Sequence, residues 1–135
     1  MTAAPANPDL ASGEPPPRRR GRLVLGLIFV AAGAAHFAVP GVYERVVPPY
    51  LPWPRELVYV SGAAEVALGL LVLARQAARV AAWGLIALLV AVFPANVHMA
   101  THPDDFPRFP PAALWTRLPF QAVLIGWAYR YTRTP

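Results

Sequence analysis

Residues 58–74 read VYVSGAAEVALGLLVLA, seventeen residues with one charge, Glu65, near the middle. The rest is Val, Leu, Ala and Gly with one Ser and one Tyr. A helix needs about 20 largely apolar residues to cross about 30 Å of hydrocarbon, and this run reaches that length when extended back to Glu56. Backbone groups have no water to bond in lipid, so a spanning segment of this kind must be a helix. A carboxylate at its centre then requires a reason.

Working outward, three more apolar runs occupy about 23–39, 80–99 and 113–131, beside the one at 56–74. The expectation is an all-α transmembrane four-helix bundle over 22–135. Composition agrees: 56% of the residues are hydrophobic, 14% are charged and the mean hydropathy is +0.41, whereas soluble domains carry about 25% charge. Residues 1–21 lack aromatics and apolar periodicity, are rich in Pro and Ala, and end in an arginine cluster, so a disordered tail is expected.

Arginine placement orients the spans. Arg18, Arg19, Arg20, Arg22, Arg75, Arg79, Arg130 and Arg133 fall on one side, and Arg45, Arg55, Arg108 and Arg117 on the other. Both termini are therefore expected in the cytoplasm, in a multi-pass protein of the plasma (inner) membrane. Tyr43, Tyr50, Trp53 and Trp115 would form an outer aromatic belt, with Trp127, Tyr129 and Tyr131 as the inner one. The basic flank and first apolar run look like a signal peptide, but three further spans follow, so a retained first helix is expected.

Helical steps of 100° sort each run into faces. The second run gathers Val58, Ser61, Gly62, Glu65, Gly69 and Val72 on one arc, and its small residues allow close helix approach. The first gathers Gly26, Phe29, Gly33, His36 and Phe37. The third aligns Leu85, Leu89, Val92 and Asn96, and the fourth Arg117, Gln121, Ile125 and Ala128. Counting from the outer helix ends puts Glu65 about 13 Å deep, Gln121 about 12 Å, Arg117 about 6 Å, and His36 and Asn96 about 5 Å. A polar cluster of His36, Ser61, Glu65, Asn96, Arg117 and Gln121 is thus expected in the outer half. Pro94 removes a backbone bond and should kink the third helix near Asn96.

A mid-membrane charge costs about 2.5–3.5 kcal/mol on insertion scales. Glu65 must therefore carry a proton or pair with a cation. Arg117 is the favoured partner, because its planar fork suits a carboxylate, and His36 is second. The cluster can be read as a ligand or proton site, or as hydrogen bonds that hold four helices in order.

Several function classes drop out. The chain has no cysteine, which removes disulfides, thiolate ligands and thiol redox chemistry. His36 and His98 lie on mismatched faces, and His102 precedes Pro103, so no metal site is expected. The arginines are scattered between apolar runs, which argues against nucleic-acid binding. No phosphate-binding loop, dinucleotide fingerprint or catalytic triad order is present. The chain is not expected to be an enzyme on its own.

The ordered blocks GAAHFAVPGVYERVVPPYLPWP, LVYVSGAAEVALGLLVL, AAWGLIALLVAVFPANVHMA and LWTRLPFQAVLIGWAY together resemble the DoxX family of small membrane proteins, over about residues 22–132. The resemblance implies a four-helix membrane bundle and an accessory place in a membrane redox complex, with oxidoreductase subunits as partners and a quinone as a possible ligand. The positions that match recurring motifs are His36, Ser61, Glu65, Pro94, Asn96, Arg117 and Gln121. Two other readings stay open: a small-molecule or proton carrier, and a structural membrane subunit, alone or in an oligomer. The carrier is disfavoured because the inner half lacks polar steps.

Overall fold

The computed structural model describes residues 13–133, which are all-helical with no strand among them. α1 is Pro16–Ala38, α2 Pro40–Glu44, α3 Pro54–Leu73, α4 Ala78–Thr101 and α5 Pro111–Tyr129, with a 3-10 turn at Pro103–Asp105 before α5. Four of the five helices begin with proline at the first or second position. Proline presets the helical φ there, and the N–H it lacks would have no intrahelical partner. The proline-rich loops therefore serve as helix starts. α4 differs, beginning at Ala78 after a tight turn whose Ala77 N–H donates to the Ala74 carbonyl at 3.0 Å.

The expected disorder of residues 1–12 lies outside the described residues. Residues 16–21, expected in the tail, instead form the first turns of α1. Glu14 and Arg22 explain the ordered start. Arg22 is buried and its guanidinium meets the Glu14 carboxylate at 3.0 Å. The same side chain donates at 2.8 Å to the Val72 carbonyl and also to that of Leu73. It thereby satisfies the orphan carbonyls at the C-terminus of α3, where a cation also complements the helix dipole.

Among the described residues three helices are long and apolar enough to cross a membrane: Pro16–Ala38, Pro54–Leu73 and Ala78–Thr101. α5 has 19 residues but is not among them. Thr116, Arg117, Gln121 and two prolines dilute its apolar character. The four-span expectation is thus met by composition for three helices only.

The tightest packing joins α1 to α3. Gly33 faces Gly62 and Gly26 faces Gly69, antiparallel, with the glycines seven positions apart on each helix. A Cβ built on Gly33 would lie 2.6 Å from the Gly62 carbonyl oxygen, and one on Gly69 would lie 2.8 Å from that of Gly26. Real Cβ atoms do not come so close to backbone, so only glycine allows this approach. In lipid, where apolar side chains gain little by leaving solvent, such backbone proximity is the main source of helix association.

α4 packs on α5 and on α3. A core of Leu25, Phe29, Val72, Ala81, Ala82, Leu85, Leu89, Ala128 and Tyr131 closes one end of the bundle. Tyr131 there donates to the Arg18 carbonyl at 3.2 Å, which brings the start of α1 and the segment after α5 to the same end of the fold. A smaller cluster of Met99, Phe106 and Leu114, with Val46 against it, closes the other end.

The aromatic belts are only partly as expected. Tyr50, Trp53 and Trp115 are exposed, but Tyr131 is buried and Tyr43 turns inward. Phe37 faces outward and stacks on Tyr59 at 5.4 Å between ring centroids, leaving the face on which helical stepping had placed it.

Candidate functional site

Between the two hydrophobic clusters, the α1/α3 pair and the α4/α5 pair separate around a gap. The gap is a cavity of about 580 Å³. Its roof is the loop after α2, with Val46, Val47, Pro48 and Leu51, and its floor includes Phe29 and Leu89. All six polar residues of the expected cluster, His36, Ser61, Glu65, Asn96, Arg117 and Gln121, line it, as does Pro94. Exposed apolar side chains also border it: Ile28 and Phe120 on α1 and α5, and Leu57 and Val60 on α3. These place its openings on the apolar flanks of the bundle.

The two walls are built differently. On the α4/α5 wall the polar groups satisfy one another. The Arg117 Nε donates to Asn96 Oδ1 at 3.2 Å, and Asn96 Nδ2 donates to Gln121 Oε1 at 2.6 Å. Gln121 Nε2 in turn donates to the Leu89 carbonyl. Leu89 lies in the turn that precedes Pro94, and α4 runs through that proline without ending. Pro94 removes the donor to the Val90 carbonyl, four residues back, so Gln121 bonds the carbonyl next to the freed one.

The α1/α3 wall is less complete. His36 Nδ1 lies 2.8 Å from the Ala32 carbonyl, so that nitrogen carries a proton and donates it there. Glu65 Oε2 lies 3.5 Å from the same nitrogen. That separation gives an electrostatic contact without a hydrogen bond, because the proton points at Ala32. Glu65 Oε2 is buried and has no hydrogen-bond partner. Ser61 Oγ donates to the Val58 carbonyl at 3.0 Å, one turn back on its own helix.

Arg117 is not the partner of Glu65. No ion pair within 4.0 Å joins them, and Arg117 is exposed and engaged with Asn96. The expectation fails because spacing along α5 gives the depth of Arg117 but not which wall its guanidinium reaches.

Tyr43 belongs to the site although the sequence suggests only an interfacial anchor. Its ring stacks on His36 with centroids 3.9 Å apart and planes 23° from parallel. Burial raises its phenol above the ordinary value of 10.0, the Glu65 carboxylate adds to the rise, and Arg117 opposes it. Tyr43 therefore lies within the field of both walls. One signal was available: Val39 and Pro40 end α1 and start α2, which folds the chain back over His36.

His98 and His102 stack at 4.3 Å beyond the cavity, and His102 Nδ1 lies 3.1 Å from the His98 carbonyl. Among the described residues no group of three or more His, Asp or Glu is placed to hold a metal.

Comparison with known proteins yields no match among curated proteins and none among solved structures. A family model does match, over residues 25–132, a stretch that contains every residue lining the cavity. The chain belongs to the family described as Domain of unknown function (DUF8561).

Proposed function

We propose that the chain is a four-span accessory subunit of a membrane redox complex, DoxX-like, with both termini in the cytoplasm and the plasma membrane as its site. Its outer cavity would hold a small amphipathic ligand of the quinone class. One observation carries this reading: a buried carboxylate oxygen, Glu65 Oε2, has no hydrogen-bond partner among the described residues at the wall of a largely apolar cavity. A buried polar atom left unpaired is costly, and a ligand hydroxyl or a protonated headgroup would remove that cost. Apolar walls suit a ring or a prenyl chain. The exposed apolar borders on the flanks suit access from the bilayer.

The structural reading also has an observation in its favour. The chain of bonds from Arg117 through Asn96 and Gln121 to the Leu89 carbonyl links α4 to α5 without a ligand. The carrier reading has less, because the inner core is closed by apolar side chains.

The test is purification in mild detergent, mass spectrometry of extracted lipids, and a thermal titration with a decyl-substituted benzoquinone. A co-purifying quinone and a rise in Tm that is lost on filling the cavity with Ala64→Phe support the proposal. Clean extracts and an unmoved Tm would overturn it, and unchanged activity of a partner complex with Glu65→Gln would then favour the structural subunit. Proton flux in liposomes that depends on Glu65 would favour the carrier.

A further inference from the structure

A second cavity, of about 290 Å³, lies at the opposite end of the bundle from the Glu65 cluster. It sits where the start of α1, the turn between α3 and α4, and the segment after α5 converge. Five arginines line it, Arg18, Arg22, Arg75, Arg79 and Arg133, against a single carboxylate, Glu14.

The arginines are not equivalent. Arg22 is consumed by Glu14 and by the end of α3. Arg18 donates to the carbonyls of Arg130 and Arg133, at 2.7 and 2.6 Å, which fixes the segment after α5. Arg133 donates to the Tyr129 hydroxyl at 2.6 Å and lies over its ring. Arg75 and Arg79 are exposed, and no carboxylate among the described residues pairs with either. The N-terminus of α4, a helix of 24 residues, has no side-chain cap; Ala78, in the same lining, donates its N–H to the Arg75 carbonyl at 3.3 Å, and the N–H groups of Arg79 and Val80 have no backbone acceptor among the described residues.

Two independent features thus converge. Arginine forks recognise phosphate oxygens in pairs, and an uncapped helix start offers N–H groups and positive dipole to an anion. Clustered like charges without counter-ions also repel one another, so an anion between them would relieve the fold. We infer that this pocket binds a phosphate group, held by Arg75 and Arg79 over the N-terminus of α4. Arg18 and Arg133 serve as the walls that shape it. The phosphate comes either from an acidic phospholipid headgroup or from a free phosphate.

The experiment uses the full chain in nanodiscs. One arm contains phosphatidylcholine only, with inorganic phosphate titrated in. The other contains phosphatidylcholine with a small fraction of phosphatidylglycerol or cardiolipin. Native mass spectrometry counts retained phospholipid, and Tm reports binding in both arms. Retention of the acidic lipid, with a higher Tm, identifies the headgroup; a phosphate-dependent rise in the first arm identifies the free anion. Arg75→Gln with Arg79→Gln should weaken either by roughly thirtyfold. Both side chains are exposed, so this double variant should fold. Arg45→Gln with Arg108→Gln removes the same charge at the other end and should leave binding unchanged. Binding that survives the first pair, falls equally with the second, or is absent from both arms would overturn the inference.

Discussion

Gly33 and Gly62 meet backbone to backbone, with room for no Cβ on either: one on Gly33 would lie 2.6 Å from the Gly62 carbonyl, and one on Gly62 would lie 2.6 Å from the His36 Cβ. The contact does two things. It brings α1 against α3, and it sets His36 over α3 at the height of Glu65. Gly33→Ala or Gly62→Ala should therefore destabilise by about 1–3 kcal/mol, as overpacking does, and should also move His36. Gly126→Ala is the matched control, since a Cβ there meets nothing within 4 Å; it should be neutral or slightly stabilising. Thermal unfolding in detergent separates the two outcomes.

The two polar walls should respond differently to substitution. Gln121→Leu leaves the Asn96 Nδ2 without its acceptor and takes a donor from the Leu89 carbonyl, and should cost roughly 1–2 kcal/mol. Arg117 is exposed and makes one bond, to Asn96, so Arg117→Leu should cost less than about 1 kcal/mol. Denaturant titration ranks them. A larger loss for Arg117→Leu would restore Arg117 as the partner that balances Glu65.

Tyr43 offers a pH readout. Its phenol is raised above 10.0 by burial first and by Glu65 second, and lowered by Arg117. A raised folded pKa means that the folded state holds the proton more tightly. The stabilisation is complete below the unfolded value near 10 and is lost as pH rises through the higher folded value. Phenolate absorbance should therefore show one late-titrating tyrosine that disappears in Tyr43→Phe. Glu65→Gln should bring it earlier, and Arg117→Leu should delay it further. A Tyr43 that titrates with the exposed tyrosines would contradict its placement.

Arg22 should be the most sensitive residue near the chain start. It is buried, paired with Glu14, and bonded to two carbonyls at the end of α3. Arg22→Leu leaves the Glu14 carboxylate and both carbonyls unpaired, at a cost of roughly 3 kcal/mol or more. Glu14→Gln keeps hydrogen bonding and should cost less. Exchange of the Val72 and Leu73 segment with deuterated solvent should rise in the first variant.

The absence of cysteine makes topology directly testable. Gly41→Cys is sterically open, with nothing within 4 Å of its Cβ. It should react with an impermeant maleimide in intact cells, whereas Gln76→Cys and Arg130→Cys should react only after permeabilisation. Labelling of Arg130→Cys in intact cells would mean that α5 does not cross.

The amino-acid order by itself determined where the long helices run and which of their residues lie at similar depth. Expected and observed helix bounds differ by no more than two residues, except where α1 starts early at Pro16. Hydropathy and the 3.6-residue period are local properties, and depth follows from counting along an axis. The six polar residues grouped by that counting line one cavity. Partnership is not local. Whether Glu65 meets His36 or Arg117 depends on how each helix is rotated and tilted about its neighbours. The glycine contacts between α1 and α3 decide that rotation. The α1/α3 pair stands apart from the α4/α5 pair around the cavity, where Tyr43 folds in over His36. A pattern along one chain specifies faces and heights. Only close packing in three dimensions chooses which faces touch.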